Sequence, residues 1–466
     1  MKVCLVVHGY PPELLGGTEK SVQELAHGLA REGVEVVVVA GTLLCQQGFR
    51  TSEEWDEVDG HKIRVRKIHR ADLFFDHWQK SASVQARRAF QAILEEERPD
   101  LVHVHHWIRL SRDLVATAAA RGIPAVLTLH DFWSSCLVTF RVRPDTKRFC
   151  DVPLAANPCL SCAALVPPRT PWIDAVGQRL ALEEHRRDVL RELDLARAVL
   201  VPSRTHGEAL TRFLGLDEGR IAFRTVPLGR DLALLPRTPL PPPAELGRLV
   251  LGAWGHLYPL KGQDLLLGAI RRLPDPSRVE LHLAGAEADP DFVRGLRESA
   301  RGLRVTFHGP FHAQELSSHP CTSVHAMVSG SRACETWGLV IDEALALGLP
   351  MVMPRSGAFV ERLVEGRGAL FYEPGEERDL ARVLVRLLDE PLTWSRLREN
   401  LPSVEELVPS CRDHLRRLLG IYAEVVDRGA PALPTQDWWR DRLQETAAEA
   451  WDRSLSMRSR GELGLP

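Results

Sequence analysis

The amino-acid sequence has no long apolar run and no excess of one charge. Its opening apolar stretch, Lys2–Val7, ends at His8–Pro12, so it is too short for a signal-peptide core or a membrane-spanning helix. Its 59 basic and 62 acidic side chains leave a formal net charge of −3, which excludes a global field that favours nucleic acid. We therefore expect a cytoplasmic protein without a nucleic-acid partner, whose contact with the inner membrane face is at most peripheral.

The sequence also lacks low-complexity tracts, convincing internal repeats and the G-x-G-x-x-G fingerprint of dinucleotide-binding domains. What it has is the composition of a globular protein, with 44% hydrophobic and 26% charged residues. A chain of 466 residues is too long for one ordinary core, so two or three domains are expected.

Short β-rich runs alternate with helical patterns along most of the chain. Near-continuous apolar strands separated by helices predict parallel sheets covered on both faces, and therefore the α/β class. The helix after the first strand has apolar residues at i, i+3, i+4 and i+7 from Val22, and Thr18 is placed to cap it. The predicted strands are Val3–Val7, Val34–Val39, Leu101–His105, Ala125–Leu129, Val199–Val201, Leu249–Ala253, Val279–Ala284, Arg304–Phe307, Val324–Val328 and Pro350–Met353.

The two halves of the pattern meet near Arg224–Pro227, and a stiff proline-rich stretch follows soon after. We predict a first domain over residues 1–225, a second domain over residues 226–415 and a helical tail over residues 416–466.

Polar residues follow the first-half strands, at the edge where open α/β sheets bind ligands. Gly16 and Gly17 lie between the first strand and helix, where glycine lets the backbone approach a ligand and the helix N-terminus favours an anion. A tight structural turn is the alternative. His130 ends a strand beside Asp131 and can hydrogen-bond a sugar hydroxyl, or it only stabilises a turn. A metal site is a further alternative for His103, His105 and His106.

The second half carries two cationic residues and two carboxylates. His256 and Lys261 lie between a strand and a helix, and the Lys261 ammonium suits a phosphate unless it is an ordinary surface lysine. Glu335 and Glu343 stand eight positions apart; the first precedes or opens a predicted helix, and the second lies inside it. Eight helical residues rise about 12 Å, so the two carboxylates would reach different parts of one extended ligand. A carboxylate accepts two hydrogen bonds side by side, which suits a vicinal diol; two solvated glutamates are the alternative.

Four of the nine cysteines, Cys136, Cys150, Cys159 and Cys162, lie in a loop-rich insertion that we place at residues 132–170. Four thiolates in a segment with little core can form a closed tetrahedral zinc site, so a structural zinc is predicted. Unlinked buried thiols and a redox-labile pair are the alternatives.

The order and spacing of these segments resemble family 4 of the retaining glycosyltransferases, which have the GT-B fold. The resemblance covers roughly residues 1–390 and implies two Rossmann-like domains that face each other across a central cleft. A similar His-Asp-Phe-Trp…Cys pattern occurs in a bacterial subset of the family. The matching segments are Gly16-Gly17, Pro99–His105, His130-Asp131, Val201–Ser203, Pro227–Asp231, Gly255–Gly262, Glu335–Pro350 and Gly357–Glu361.

The resemblance implies a hexosyltransferase that moves a sugar, with retention, from a UDP- or GDP-sugar to a glycan, lipid-linked or small-molecule acceptor, as in polysaccharide biosynthesis. Backbone at Gly16 and Gly17, together with Lys261, would hold the donor pyrophosphate, and Glu343 would bind the ribose hydroxyls. No cofactor is implied for catalysis, because cationic side chains and helix ends offset the charge of the leaving group.

Glu335 and His130 are the catalytic residues that the resemblance implies. Glu335 would contact the transferred sugar near its reacting face, and His130 would lie at the sugar-facing floor of the first domain. The sequence departs from the family at His256, where arginine is usual, so the second cationic contact to the pyrophosphate would be weaker. Arg332 stands before Glu335 where the family tends to have Pro-Ser, and it is a candidate to compensate.

Two other functions remain open: a sugar-nucleotide-binding protein without turnover, which His256 favours, and a GT-B sugar-nucleotide epimerase. The retained glutamates, Lys261 and His130 argue against the first, and the pair of glutamates argues against the second.

The tail has a helical pattern over Asp437–Arg458. Because the C-terminal helix of the family crosses back to the first domain, we expect this segment to dock there, with membrane contact as the alternative. Its predicted apolar face consists of Trp439, Leu443, Ala447, Trp451 and Leu455.

Overall fold

Alternating apolar strands and amphipathic helices build two separate, largely parallel sheets. A computed structural model describes residues 1–43, 49–70, 83–136, 138–163 and 175–433. The predicted α/β class with two parallel-sheet domains is confirmed. Of the sequence predictions, the apolar tail segment Asp437–Arg458 lies outside the described residues.

The first sheet has the strand order β3-β4-β2-β1-β5-β6-β7-β8, with only β3 antiparallel to its neighbour. In its centre, Val3 is in register with Val36 on one side and with Leu101 on the other. The strands are β1 Lys2–Val7, β2 Glu35–Gly41, β3 Arg50–Val58, β4 His61–His69, β5 Leu101–Val104, β6 Ala125–Thr128, β7 Ala198–Val201 and β8 Phe223–Thr225.

Helices cover both faces of this sheet. Side chains of β1 alternate between the faces, so that Cys4 and Val6 pack in one core while Val3, Leu5 and Val7 pack in the other. The helices are α1 Gly17–Arg31, α2 Val84–Glu97, α3 Leu114–Ala119, α4 Ala156–Ala163, α5 Ala175–Leu195 and α6 Arg204–Leu214, with a 3-10 turn at Trp133–Ser135.

The second sheet is parallel throughout, in the order β11-β10-β9-β12-β13-β15-β14. Its strands are β9 Leu249–Trp254, β10 Val279–Ala284, β11 Arg304–Phe307, β12 Ala326–Val328, β13 Met351–Pro354, β14 Val364–Glu365 and β15 Gly368–Tyr372. Its helices are α7 Pro243–Leu246, α8 Gln263–Arg271, α9 Pro290–Ser299, α10 Leu339–Ala346, α11 Ala358–Arg362, α12 Glu377–Asp389, α13 Thr393–Glu399 and α14 Val404–Leu407, with 3-10 turns at Pro259–Lys261, Pro276–Arg278, Ala313–Glu315 and Pro320–Thr322.

The last described helix, α15 (Cys411–Arg428), follows the second domain in sequence but packs on the first. Leu415, Leu418, Tyr422 and Val425 lie in the same core as α1 and the central strands of the first sheet. The chain therefore passes between the domains twice, once after β8 and once before α15.

Thr18 does not cap α1, so that sequence prediction is wrong. The helix begins one residue earlier, at Gly17, and Gly16 takes the N-cap position with extended backbone angles and no side-chain hydrogen bond. The N-cap residue therefore offers no side chain to the first N–H groups of α1, and the Glu19 carboxylate of the first turn lies beside this helix end.

Both sheets have a point at which the strand order reverses, between β1 and β5 and between β9 and β12. Ligands of open α/β sheets bind outside the carboxyl ends of the strands at such points. Among the residues described, no helix combines the length and apolar character needed to cross a membrane.

We expect Leu418→Ala to destabilise the first domain by about 2–5 kcal/mol, because the side chain is buried in that core and its removal leaves a cavity. Val426→Ala is the control, since Val426 lies on the same helix with 37% of its surface exposed. Urea unfolding gives the free energies, and amide hydrogen exchange should rise in β1 more than in β9. Equal losses in both variants, or hydrogen exchange that rises as much in β9 as in β1, would contradict the prediction.

Candidate active site

A cavity of about 620 Å³ lies where the carboxyl edges of the two sheets face each other, and both domains line it. It brings together most of the residues that the sequence singled out; Gly16 and the four clustered cysteines are not part of its lining. The predicted residues that line it are Gly17, His130, His256, Lys261, Glu335 and Glu343.

The first domain contributes the N-terminus of α1 and a pair of side chains beside it. The carboxylate of Glu19 lies 2.9 Å from Nε2 of His8, and both residues line the cavity. A Cβ at Gly16 would lie only 2.3 Å from Oε2 of Glu19, so a larger residue there would displace this carboxylate. Sequence reasoning missed His8, although its position directly after β1 is the signal that identified His130 after β6.

The second domain contributes an ion pair between Lys261 and Glu335. The Lys261 ammonium donates to Oε1 of Glu335 at 2.7 Å, and the Ser331 hydroxyl donates to the same oxygen at 2.9 Å. Burial alone would raise the pKa of Glu335, but the contacts with Lys261 and Ser331 outweigh burial and hold that pKa below its ordinary value. Glu335 is therefore a carboxylate at neutral pH.

Two glycines bring this ion pair together. Gly262 follows Lys261 with a φ of +64°, and a Cβ there would lie 1.9 Å from the carbonyl oxygen of Gly330. The loop after β9 and the loop after β12 can therefore approach each other only with glycine at this position.

Glu343 lies inside α10, and both of its carboxylate oxygens have donors. Trp254 donates its indole N–H to Oε2 at 2.9 Å, and Arg230 donates to Oε1 at 3.3 and 3.4 Å. Burial is the larger influence and raises the pKa of Glu343, although Arg230 and Trp254 act in the opposite direction. Sequence reasoning missed Arg230 and Trp254.

Glu335 precedes a helix and Glu343 lies inside it, as the sequence predicts, but the helical rise expected between them does not hold. The helix α10 begins at Leu339, so Glu335 precedes it, and Gly338 turns the chain with a φ of +80°. The rise of about 12 Å that eight helical residues would give does not apply to this pair.

His130 links the two domains and stays neutral. Its Nε2 lies 2.9 Å from Nδ1 of His105, and its carbonyl oxygen accepts a hydrogen bond of 2.7 Å from the Thr336 hydroxyl of the second domain. Removal from water lowers the pKa of His130 to about 3. The imidazole therefore acts as a neutral hydrogen-bonding group at the cleft.

A second polar contact joins the domains at the N-terminus of α6. The Glu361 carboxylate of the second domain accepts the backbone N–H of Arg204 at 3.0 Å and that of Thr205 at 2.8 Å. The first turn of a first-domain helix is thus capped by a side chain of the other domain.

Arg332 does not compensate for the arginine that His256 replaces, which corrects that expectation. Its guanidinium forms a fork with the Asp264 carboxylate at 2.7 and 2.9 Å and also donates to the carbonyl of Pro259. It is not among the residues that line the cavity, whereas His256 is exposed and does line it.

The cysteine-rich insertion is organised by a buried arginine. The Arg141 guanidinium lies 3.5 Å from the centre of the Phe213 ring and donates to the carbonyls of Ser135 and Cys150 at 2.6 and 2.9 Å. Cys136, Cys150, Cys159 and Cys162 are all free thiols. Within the described part of the chain, no group of three or more His, Cys, Asp or Glu residues is arranged to hold a metal ion.

That finding includes the three strand-end histidines, all of which have other partners; Nε2 of His106 lies 3.3 Å from the Asp131 carboxylate. The ring nitrogens of His103 lie 2.6 Å from the Tyr422 hydroxyl and 2.7 Å from the Thr128 hydroxyl, and His105 contacts His130.

Comparison with known proteins identifies the class. The sequence profile of Glycosyltransferase Family 4 matches residues 15–234, and that of Glycosyl transferases group 1 matches residues 248–390. Glycogen synthase of Mycobacterium tuberculosis (strain CDC 1551 / Oshkosh) is 24% identical over 416 residues, which cover 85% of this chain and 88% of that protein. D-inositol 3-phosphate glycosyltransferase of Arthrobacter sp. (strain FB24) is 27% identical over 390 residues, covering 81% and 83%.

Solved structures with the same fold include sucrose-phosphate synthase from Thermosynechococcus elongatus. It has a TM-score of 0.62 and 19% identity, with 92% of this chain and 100% of that chain covered. Anabaena HepE, solved in complex with UDP and glucose, has a TM-score of 0.59 and 17% identity, with 91% and 100% covered. The protein is a glycosyltransferase with two Rossmann-like domains. It belongs to family 4 and has the GT-B fold.

We expect the folded protein to lose stability as the pH falls below about 6.5. Burial lowers the pKa of several histidines, so the folded chain does not take up protons that the unfolded chain takes up. Each such proton costs about 1.4 kcal/mol per pH unit. Urea unfolding between pH 7.5 and 5 measures the loss, and a free energy of unfolding that is constant or rises over this range contradicts the prediction. The histidines are His103, His105, His130, His185 and His206.

For the cysteine cluster we propose one structural zinc per chain, which requires the four free thiols to move together. Cys159→Ser or Cys162→Ser should lose the metal and lower the thermal stability of the first domain, whereas Cys411→Ser, outside the insertion, should keep it. Metal analysis of reduced protein purified without chelator is the measurement. Absence of zinc from such folded protein would exclude the site.

Proposed function

We propose that this glycosyltransferase is a retaining hexosyltransferase that uses a nucleoside-diphosphate sugar. One observation carries the proposal: a single cleft is lined by the Lys261–Glu335 ion pair, by Glu343 and by the N-terminus of α1. Their charges and hydrogen-bonding groups are complementary to the pyrophosphate, the ribose diol and the sugar of such a donor.

The pyrophosphate is assigned to the space between Lys261 and the start of α1. The first N–H groups and the helix dipole favour an anion at Gly17, and the lysine supplies a full positive charge from the other domain. His256, exposed at the same cleft, is proposed as the second cation when it is protonated. Together these groups would offset the charge on the leaving nucleoside diphosphate.

The two carboxylates are assigned to different parts of the donor. Glu343 would accept a hydrogen bond from the ribose diol at Oε2, which keeps a lone pair besides the one facing Trp254, whereas Oε1 already accepts twice from Arg230. Glu335 would exchange its contact with Lys261 for one with the transferred sugar when the pyrophosphate takes the lysine. His130 would donate to or accept from a sugar hydroxyl as a neutral group.

Similar proteins support a hexose donor of this kind. Anabaena HepE was solved with UDP-glucose, and a glycogen synthase and D-inositol 3-phosphate glycosyltransferases are among the relatives. UDP- and GDP-sugars are the proposed donors, and a glycan, a lipid-linked sugar or a small molecule is the proposed acceptor. Retention of the anomeric configuration follows the stereochemistry of the family.

A panel of UDP-, GDP- and ADP-sugars tests the proposal. Incubation without acceptor should release a nucleoside diphosphate and free sugar, and NMR of the first-formed anomer reports the stereochemistry. An epimerase would instead convert the sugar without releasing it, and a binding protein would give a thermal shift of the folded chain without any product.

We predict different losses for the two glutamates. Glu335→Ala should lower kcat about 10²–10³-fold, since it would remove a group that acts on the reacting sugar. Glu343→Ala should mainly weaken nucleotide binding, by about tenfold or more. Glu399→Ala, at an exposed position at the end of α13, is the control. Wild-type turnover and affinity in both cleft variants would refute the assignment.

A further inference from the structure

Arg230 lies in one of the two segments that connect the domains, between β8 and α7. Its backbone N–H donates to the carbonyl of Pro409 at 2.9 Å, and the carboxylate of Asp231 accepts the backbone N–H of Cys411 at 3.1 Å. The two connecting segments are therefore hydrogen-bonded to each other, and they form the hinge between the domains.

From this hinge the guanidinium of Arg230 reaches α10. It donates to Oε1 of Glu343 and to the carbonyl of Leu339 at 3.3 Å, and it lies 3.8 Å from the carboxylate of Asp342. The Trp254 indole holds the other oxygen of Glu343. The carboxylate is thus fixed at one oxygen by the end of β9 and at the other by the hinge.

Arg230 does not line the donor cleft. It lines a second cavity of about 630 Å³ between α1, the hinge and α15, and Glu343 forms the wall that the two cavities share. Arg230 therefore reaches the lining of the cleft through the side chain of Glu343 and the backbone carbonyl of Leu339.

The contact is energetically significant because Glu343 is only 13% exposed and Asp342, beside it, is fully buried. The Asp342 carboxylate has its own cation in Arg362. In the part of the chain that the structure describes, Arg230 supplies the cationic contact to Glu343, and a buried carboxylate without one is costly.

We propose that Arg230 is a positioning residue that orients the Glu343 carboxylate toward the ribose diol and couples it to the hinge. The inference rests on the proposed function, which assigns the ribose to Glu343. It follows that a rotation of the domains, which moves the backbone of Arg230, also changes the fit of the nucleotide.

Calorimetric titration with UDP and 2′-deoxy-UDP tests this, with GDP and 2′-deoxy-GDP as the second pair. Wild type should prefer the nucleotide with the intact diol. Arg230→Met should lose about tenfold in affinity for that nucleotide and much less for the deoxy form, so that the preference collapses. Arg230→Lys, which keeps the charge, should retain part of the preference. Arg230→Met combined with Glu343→Gln should bind no more weakly than Glu343→Gln alone.

Arg224→Met is the matched control, since Arg224 forms an ion pair with Glu424 near the hinge and away from the cleft. It should bind both nucleotides as wild type does. The inference is overturned if Arg230→Met binds UDP as wild type does. It is also overturned if Arg230→Met and Arg230→Lys each lose as much affinity for the deoxy nucleotide as for UDP. Either result leaves the proposed function intact. If wild type binds none of the nucleotides, the proposed function itself fails.

Discussion

The ion pair between Lys261 and Glu335 is the interaction on which the organisation of the cleft depends. Its partners come from loops after different strands, and the backbones of Gly262 and Gly330 must touch to bring them within 2.7 Å. Loss of either partner would leave the other charge uncompensated in a partly desolvated place. In the proposed function, an incoming pyrophosphate replaces the carboxylate as partner of the lysine, so donor binding itself frees Glu335.

The ion pair lies in the second domain, and the first domain faces it across the cleft. Two chain crossings between the domains hold them in this arrangement. The crossings at residues 226–231 and 409–411 are hydrogen-bonded to each other, and α15 then returns to the core of the first domain. The N-terminus of α1 and the loops of the second sheet therefore belong to different domains but share one cavity.

The sequence was sufficient to predict what depends on local pattern. Apolar runs located the central strands, and residues in the loops after them, such as His130 and Lys261, line the cleft. The remaining strands of the described residues, β3, β4, β8, β14 and β15, are not among the predicted strands. Contacts between distant segments could not be predicted in this way. Arg332 pairs with a residue 68 positions away and Arg230 with one 113 positions away, and no periodicity relates such positions. The prediction that Thr18 caps α1 was wrong for a different reason: the start of the helix depends on the backbone angles of Gly16.

The cap that Glu361 provides to α6 has a consequence for how the two domains hold together. The Glu361 carboxylate accepts one N–H at an exposed position, that of Arg204, and one at a half-buried position, that of Thr205. Hydrogen bonds to a charged group contribute about 1.5–3 kcal/mol each. The helix also has a cap of its own domain, because the Ser203 hydroxyl accepts the backbone N–H of His206, so α6 does not depend on Glu361 alone to stay folded.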